Sequence, residues 1–246
     1  MYLQPGDAYM TLKVIGVLIF IIVGTIRLVH LRFSFIKSFL LCSMMAIAAF
    51  AGSKLWYITQ HLLGREYYRV SHWNTVWYET GAVFYGWQVG GLIAAIIFCR
   101  WVKWPIYTLL NTVIVPGALI AQILNRLGCL EAGCCFGKPL NAPWAIYNPD
   151  AGRLLHPVQL YEAAFDFILL LVLPNLKKFS DAQKVWSYFI GYAVGRFFLE
   201  FLRGDNLPVF LGMTVPQITS LCVLILVFLA SYFQPSPLAR PSDSTK

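Results

Sequence analysis

The sequence predicts an all-α integral membrane protein of about seven transmembrane helices, N-terminus outside and C-terminus in the cytoplasm, with a small extracytoplasmic arm and head. Three observations carry that prediction. The 246 residues are 59% hydrophobic and only 12% charged, with mean hydropathy +0.65, which is more apolar than a soluble domain that must cover its core with polar groups. The apolar residues come in continuous runs such as IGVLIFIIVGTI, a pattern of helices and not of the short alternating strands of a barrel. Lysine and arginine are unequally divided between the two ends of those runs.

A hydrocarbon core about 30 Å thick takes roughly 20 apolar residues as a helix. The first such run is 11–29; MYLQPGDAYM before it has no basic segment and no small-residue cleavage site follows, so this helix is expected to stay in the protein. Further runs lie at 34–52, 82–101 and 105–124. A fifth, 157–175, is introduced by His156 and Pro157, and proline suits the first turn of a helix. The last two are 185–202 and 212–233. Together they make one membrane domain, 1–235, and the polar stretch 236–246 is expected to be a disordered cytoplasmic tail.

Orientation follows from charge. Arg27, Arg32, Lys37, Arg100, Lys103, Lys177, Lys178, Lys184, Arg240 and Lys246 share one side with only Asp181 and Asp243, so that side holds the whole formal charge of +8. Basic flanks mark the cytoplasmic face. The pI of 9.2 is thus a topology signal, and no nucleic-acid partner is implied. Two connections on the opposite side are long. Residues 53–80 mix aromatic and charged side chains as an arm at headgroup level would, and residues 129–156 are rich in Gly, Pro and Asn, which favour turns over another helix.

Polar groups inside lipid are costly unless paired or functional, and here they fall in stripes. Tyr188, Tyr192, Arg196 and Glu200 recur every four residues on one face of the sixth helix, with Arg203 beyond. Gln159, Glu162 and Asp166 form a second stripe, and Gln122, Asn125 and Arg126 end the fourth helix. One reading is buried ion pairs that hold helices in register. The other rests on Arg126, Arg196 and Arg203 outnumbering what Glu200 alone would neutralise: a guanidinium suits phosphate bidentately, which points to a phospholipid headgroup site.

Cysteines divide by depth. Cys42, Cys99 and Cys222 sit in or beside apolar runs, as packing residues do. In NRLGCLEAGCCFG, residues 125–137, Cys129, Cys134 and Cys135 face an oxidising compartment under this topology, and a disulfide between Cys129 and one of the pair fits it. Three ligands with no matched fourth argue against zinc, so neither metal nor cofactor is expected.

RLGCLEAGCCFGKP, HPVQLYEA, YAVGRFFLEFLRGD and MTVPQITSL, in that order, together with GSKLWYI and GAVFYGWQVGGLI, resemble the prolipoprotein diacylglyceryl transferase family over about residues 50–225. The resemblance implies a multi-pass enzyme of the bacterial cytoplasmic (inner) membrane, among membrane lipids. It would move the diacylglyceryl group of phosphatidylglycerol to the lipobox cysteine thiol of a prolipoprotein signal peptide, leaving a thioether and glycerol phosphate. Arg126 matches an essential arginine of the family's glycine motif, Gly137 closes that motif, and Arg196 matches the essential arginine of the sixth helix, followed by Glu200 and Arg203. His156, Gln159, Tyr161 and Glu162 of HPVQLYE are expected to bind substrate. The proposed catalytic set is Arg126, Arg196, Tyr85 and Glu200, with Tyr85 standing where many members have a histidine; that puts the base in question, because a phenol ionises near pH 10. Cys129 and Cys134 stand at an asparagine and a glutamate of the family pattern, with Glu131 nearby. A different acceptor or lipid donor on the same fold, or a lipid-binding or transport protein, are the alternatives; no inverted repeat supports transport.

Overall fold

A computed structural model describes residues 5–62, 84–149 and 151–233. Contacts divide the chain into two compact units, Met1–Gly128 and Cys129–Lys246. The first holds α1 (Pro5–His30), α2 (Phe35–Leu62), α3 (Phe84–Val102) and most of α4 (Ile106–Glu131). The second holds a hairpin of β1 (Ile146–Asn148) and β2 (Arg153–Leu155), then α5 (Val158–Asn175), α6 (Asp181–Leu199) and α7 (Val215–Phe233).

In the first unit the helices approach through small residues. A Cβ on Gly90 would stand 2.1 Å from the Ala48 carbonyl oxygen, and one on Gly86 2.5 Å from that of Gly52, so the backbones of α2 and α3 touch directly. Close backbone approach is how apolar helices gain van der Waals contact where lipid offers no hydrophobic drive. At Gly117 of α4 the space is taken by a side chain instead, the Phe20 ring of α1, 2.4 Å from where a Cβ would stand. Around these contacts Leu28, Leu41, Met45, Phe98, Leu109 and Val113 form a buried core, closed by the Phe33 and Trp104 rings at 4.2 Å.

α4 is interrupted by a π-helical stretch, Leu110–Ile114. Pro116 explains it: proline has no N–H to donate four residues back and its ring collides with that carbonyl, so the helix widens. The acceptor left over, the Thr112 carbonyl, takes a hydrogen bond from Nη1 of Arg27 at 2.9 Å.

The second unit begins in the last turn of α4. The head is not turns alone, and the all-α expectation needs that correction: β1 and β2 pair antiparallel with Ile146 opposite Leu155 and Asn148 opposite Arg153. Asn148 makes this local fold. Its Oδ1 accepts from the Ala151 N–H at 2.9 Å, an Asx turn, while its Nδ2 donates to the Gly133 carbonyl at 2.9 Å. Ser180 and Gln183 cap α6 reciprocally, and the Phe165 ring of α5 lies where a Cβ on Gly195 of α6 would be, 2.1 Å away.

Two boundaries differ from expectation. α2 continues to Leu62, so 53–62 of the expected arm is helix; residues 63–80 lie outside the described residues, as does the tail. α4 continues past Asn125 and Arg126, where it was expected to end, to Glu131, and so carries Cys129 on helix instead of loop. Counting apolar residues stops at the first charge, but a helix continues wherever its polar side chains are packed: Lys54, Gln122 and Arg126 are all buried. Among the described residues, Phe35–Trp56, Ile106–Glu131 and Val158–Asn175 are long and apolar enough to cross a membrane, and Val14–His30, Gly86–Val102 and Val215–Ala230 are shorter apolar helices. α6 falls short because of its polar stripe.

Candidate active site

The stripes of α5 and α6 meet inside the second unit. Gln159, Glu162 and Asp166 are 3%, 3% and 1% exposed, and on the facing helix Tyr188, Tyr192 and Arg196 are buried, the two phenol rings 6.1 Å apart. Nη1 of Arg196 donates to Glu162 Oε1. Its Nη2 lies 2.9 Å from Glu200 Oε2, one turn on in the 3-10 segment Glu200–Leu202.

Arg203 leaves that turn with extended backbone (φ −71°, ψ 141°). Its guanidinium is gripped bidentately by Asp205, Nε to Oδ1 at 2.9 Å and Nη2 to Oδ2 at 2.6 Å, and its Nη1 is 3.6 Å from Glu162. Burial works against its charge, yet neighbouring Cys135, the hydrogen bond to Asp205 and the carboxylates of Glu162 and Asp205 hold its pKa well above the ordinary guanidinium value. Glu200 is fixed by Asn206 Nδ2 and by the Thr214 hydroxyl at 2.8 Å.

The glycine motif is stitched to this cluster by backbone. The Lys138 N–H donates to Leu202 O at 2.8 Å and the Gly204 N–H to Phe136 O at 3.1 Å, so Gly137 lies opposite Arg203. Gly137 is required by space: a Cβ there would come 2.4 Å from the His156 Cβ and 2.7 Å from Val158 Cγ2. His156 Nδ1 lies 3.4 Å from the Tyr161 hydroxyl with the rings edge to face, and Gln159 Nε2 donates to the Cys134 carbonyl at 2.6 Å. Glu131, Asn148, His156 and Gln159 line a cavity of about 110 Å³. That suits water or a small polar group, since sites for larger ligands run roughly 300–1,000 Å³.

The structure therefore brings together Arg196, Glu162, Glu200 and Arg203, with Gly137 against them. His156 and Tyr161 form a separate pair, and Gln159 serves the cysteine turn. Arg126 belongs to the first unit, 6% exposed on α4 near buried Gln122. Tyr85 is in the first turn of α3, and its side chain lies outside the described residues. One premise of the sequence reading is corrected: Glu200 is not the sole neutralising group. The guanidiniums of Arg196 and Arg203 meet three carboxylates, Glu162, Glu200 and Asp205, so this cluster carries no surplus of arginine charge.

Sequence reasoning missed Asp205, Asn206 and Thr214. Thr214 was findable: T-V-P-Q is a capping-box pattern, and Gln217 Oε1 does accept from the Thr214 N–H at 3.0 Å. Asp205 closes the R-G-D turn after the polar stripe, and a carboxylate two residues from a buried arginine is a partner by proximity.

A family model described as prolipoprotein diacylglyceryl transferase matches residues 7–233. The chain belongs to the prolipoprotein diacylglyceryl transferase family. It is 37% identical over 153 residues to the phosphatidylglycerol–prolipoprotein diacylglyceryl transferase of Clostridium tetani, a match covering 59% of this chain and 61% of that protein. A Clostridium perfringens protein of that name is 34% identical over 178 residues, 66% of this chain and 69% of its own. One from Synechocystis is 30% identical over 202 residues, 74% and 69%. The family match includes every polar residue of the α5–α6 cluster.

Proposed function

We propose that this protein transfers the diacylglyceryl group of phosphatidylglycerol to the lipobox cysteine thiol of prolipoproteins, as a multi-pass enzyme of the bacterial cytoplasmic membrane with seven spanning helices and its N-terminus outside. The observation that carries the reading is the buried network of Arg196, Glu162, Glu200 and Arg203, built from two of the motifs that the family shares. Such a network is costly in lipid and is retained where it serves a site.

In the reaction a sulfur attacks a glyceryl carbon, the C–S bond forms, the C–O bond to phosphate breaks, and the electron pair leaves on the phosphate oxygen. Catalysis then depends on stabilising that oxygen. Each guanidinium has five N–H donors, and Glu162 and Glu200 hold Arg196 by its two terminal nitrogens, which fixes the plane of the fork. Arg203 is the phosphate-facing partner in this account, because Asp205 is its most exposed counter-ion, 21% against 4% or less for the two glutamates. A phosphodiester matches a carboxylate in its bidentate fit to arginine, so lipid replaces Asp205 while Glu162 and Glu200 stay. Arg126 is the family's other arginine and is proposed as essential on that ground.

The test is purified protein in phosphatidylglycerol vesicles with a lipobox peptide. Peptide lipidation with matching glycerol phosphate release is expected. Release without lipidation would mean another acceptor, and neither would end the reading.

A further inference from the structure

The side chains of Cys129, Cys134 and Cys135 converge: their three Sγ atoms lie within 4.8 Å of one another, and none of the three is in a disulfide. Nothing in the transfer mechanism above uses them. The convergence is built by unusual backbone. Cys129 lies in the last turn of α4 and Gly133 turns left-handed at φ 66°. Cys135, which has a side chain to accommodate, also sits left-handed at φ 61°. A side-chain-bearing residue held there is a strained position that surrounding structure must enforce, and such positions concentrate at functional sites. The enforcement is visible. Cys134 N–H donates to the Cys129 carbonyl at 3.1 Å, Gln159 donates to the Cys134 carbonyl and Asn148 to the Gly133 carbonyl, so polar groups orient the turn that carries the sulfurs.

We infer that Cys129, Cys134 and Cys135 form a trithiolate site for a thiophilic divalent ion, zinc, whose fourth position binds and activates the incoming acceptor thiol. The sequence reading set zinc aside for want of a fourth ligand, but the geometry makes that lack informative. Closed four-ligand sites are structural, and three protein ligands with one open position are the catalytic arrangement. Cys129 is 3% exposed, whereas Cys134 and Cys135 are only partly buried, so an arriving ligand would approach the cluster from the side of those two residues. The three sulfurs belong to the unit that holds Arg196 and Arg203, and Gly137, two residues past Cys135, lies opposite Arg203.

The inference rests on the proposed transfer and supplies what that reaction lacks here, a base for the thiol where Tyr85 replaces a histidine. A thiol bound to zinc is deprotonated by the ion's charge. The balance is simple. The acceptor thiol gives its proton to solvent on binding, its sulfur attacks the glyceryl carbon, and the C–O bond breaks with its electron pair on the phosphate oxygen. Glycerol phosphate leaves, and the thioether, a weaker ligand than a thiolate, departs from the ion.

The experiment uses the full-length protein in phosphatidylglycerol nanodiscs. Metal analysis should find one zinc per chain, removed by a chelator and absent from Cys134→Ala. Cobalt put in place of zinc should give sulfur-to-cobalt charge-transfer absorption. A lipobox peptide should raise that absorption by about one third as three thiolates become four, and the same peptide with serine for cysteine should not. Chelation should abolish peptide lipidation and zinc restore it. The cobalt spectrum of the unaltered protein reads the site even where the cysteine variant does not fold. Absence of both zinc and a cobalt band, a disulfide among the three cysteines in fully active protein, or equal lipidation by metal-free and zinc-loaded protein would each overturn the inference and leave the transferase reading standing. Failure of every form to lipidate the peptide would remove both.

Discussion

Arg196 on α6 and Glu162 on α5 are joined as a buried ion pair, their side chains 7% and 4% exposed. The i+4 partner Glu200 holds the guanidinium from its own helix end, so one arginine binds two elements to each other. The pairing explains how Arg196, Glu162 and Glu200 are tolerated in an apolar setting: each has its counter-charge in place before any substrate arrives.

Breaking the pair from one side should therefore be worse than removing it. Glu162→Leu alone should cost about 3–5 kcal/mol, by leaving a buried cation short of a partner, whereas Glu162→Leu with Arg196→Met should be more stable than either single variant. Denaturant unfolding in detergent, analysed as a double-mutant cycle, checks this. Additive losses would show that the two side chains are not energetically coupled.

Asp205 gives a kinetic prediction. If phosphodiester replaces it on Arg203, Asp205→Asn should lower KM for phosphatidylglycerol several-fold, about 1 kcal/mol of relieved competition, while kcat changes little. Arg203→Lys, which keeps charge but loses the fork, should raise KM. A raised KM in Asp205→Asn would instead make that carboxylate part of the positioning machinery.

Gly137 and Gly152 separate two reasons for glycine. Gly137→Ala drives a methyl into His156 and Val158, and should cost about 1–3 kcal/mol or more through overpacking. Gly152→Ala meets nothing within 4 Å but sits at φ +63°, so it should cost only about 1 kcal/mol. Paired thermal melts in one detergent compare them directly, and equal losses would contradict the packing account.

In the first unit, Gly90→Leu should separate α2 from α3, because even a Cβ would stand 2.1 Å from the Ala48 carbonyl. The expected signature is a lower melting temperature, with Ala48→Gly in the Gly90→Ala background recovering little, since the obstacle is backbone. Substantial recovery would mean that the helices can shift.

Much of this was legible in the sequence because hydropathy and helical spacing are local properties. The runs gave seven helices near their observed places, and the four-residue spacing of Tyr188, Tyr192, Arg196 and Glu200 placed them on one buried face. What the spacing did not reveal is who pairs with whom. Glu162 and Asp205 engage the arginines through the approach of α5 and through an extended backbone at Arg203, and neither is a local signal. The helical continuation beyond Arg126 was hidden for a related reason: a charge reads as the end of a membrane segment until its burial is known. The hairpin escaped notice because six residues of strand, held by Asn148, leave no periodic pattern long enough to detect.

The account depends most on whether the buried arginines serve transfer to a thiol. Arg196→Gln protein, compared with unaltered protein at equal folded amount in phosphatidylglycerol vesicles with a lipobox peptide, tests this by following thioether formation and glycerol phosphate release together. The account predicts that both fall at least about a hundredfold, the scale on which loss of one charge-stabilising donor acts. Near-normal turnover in that variant would contradict it and reduce the cluster to a tie between helices.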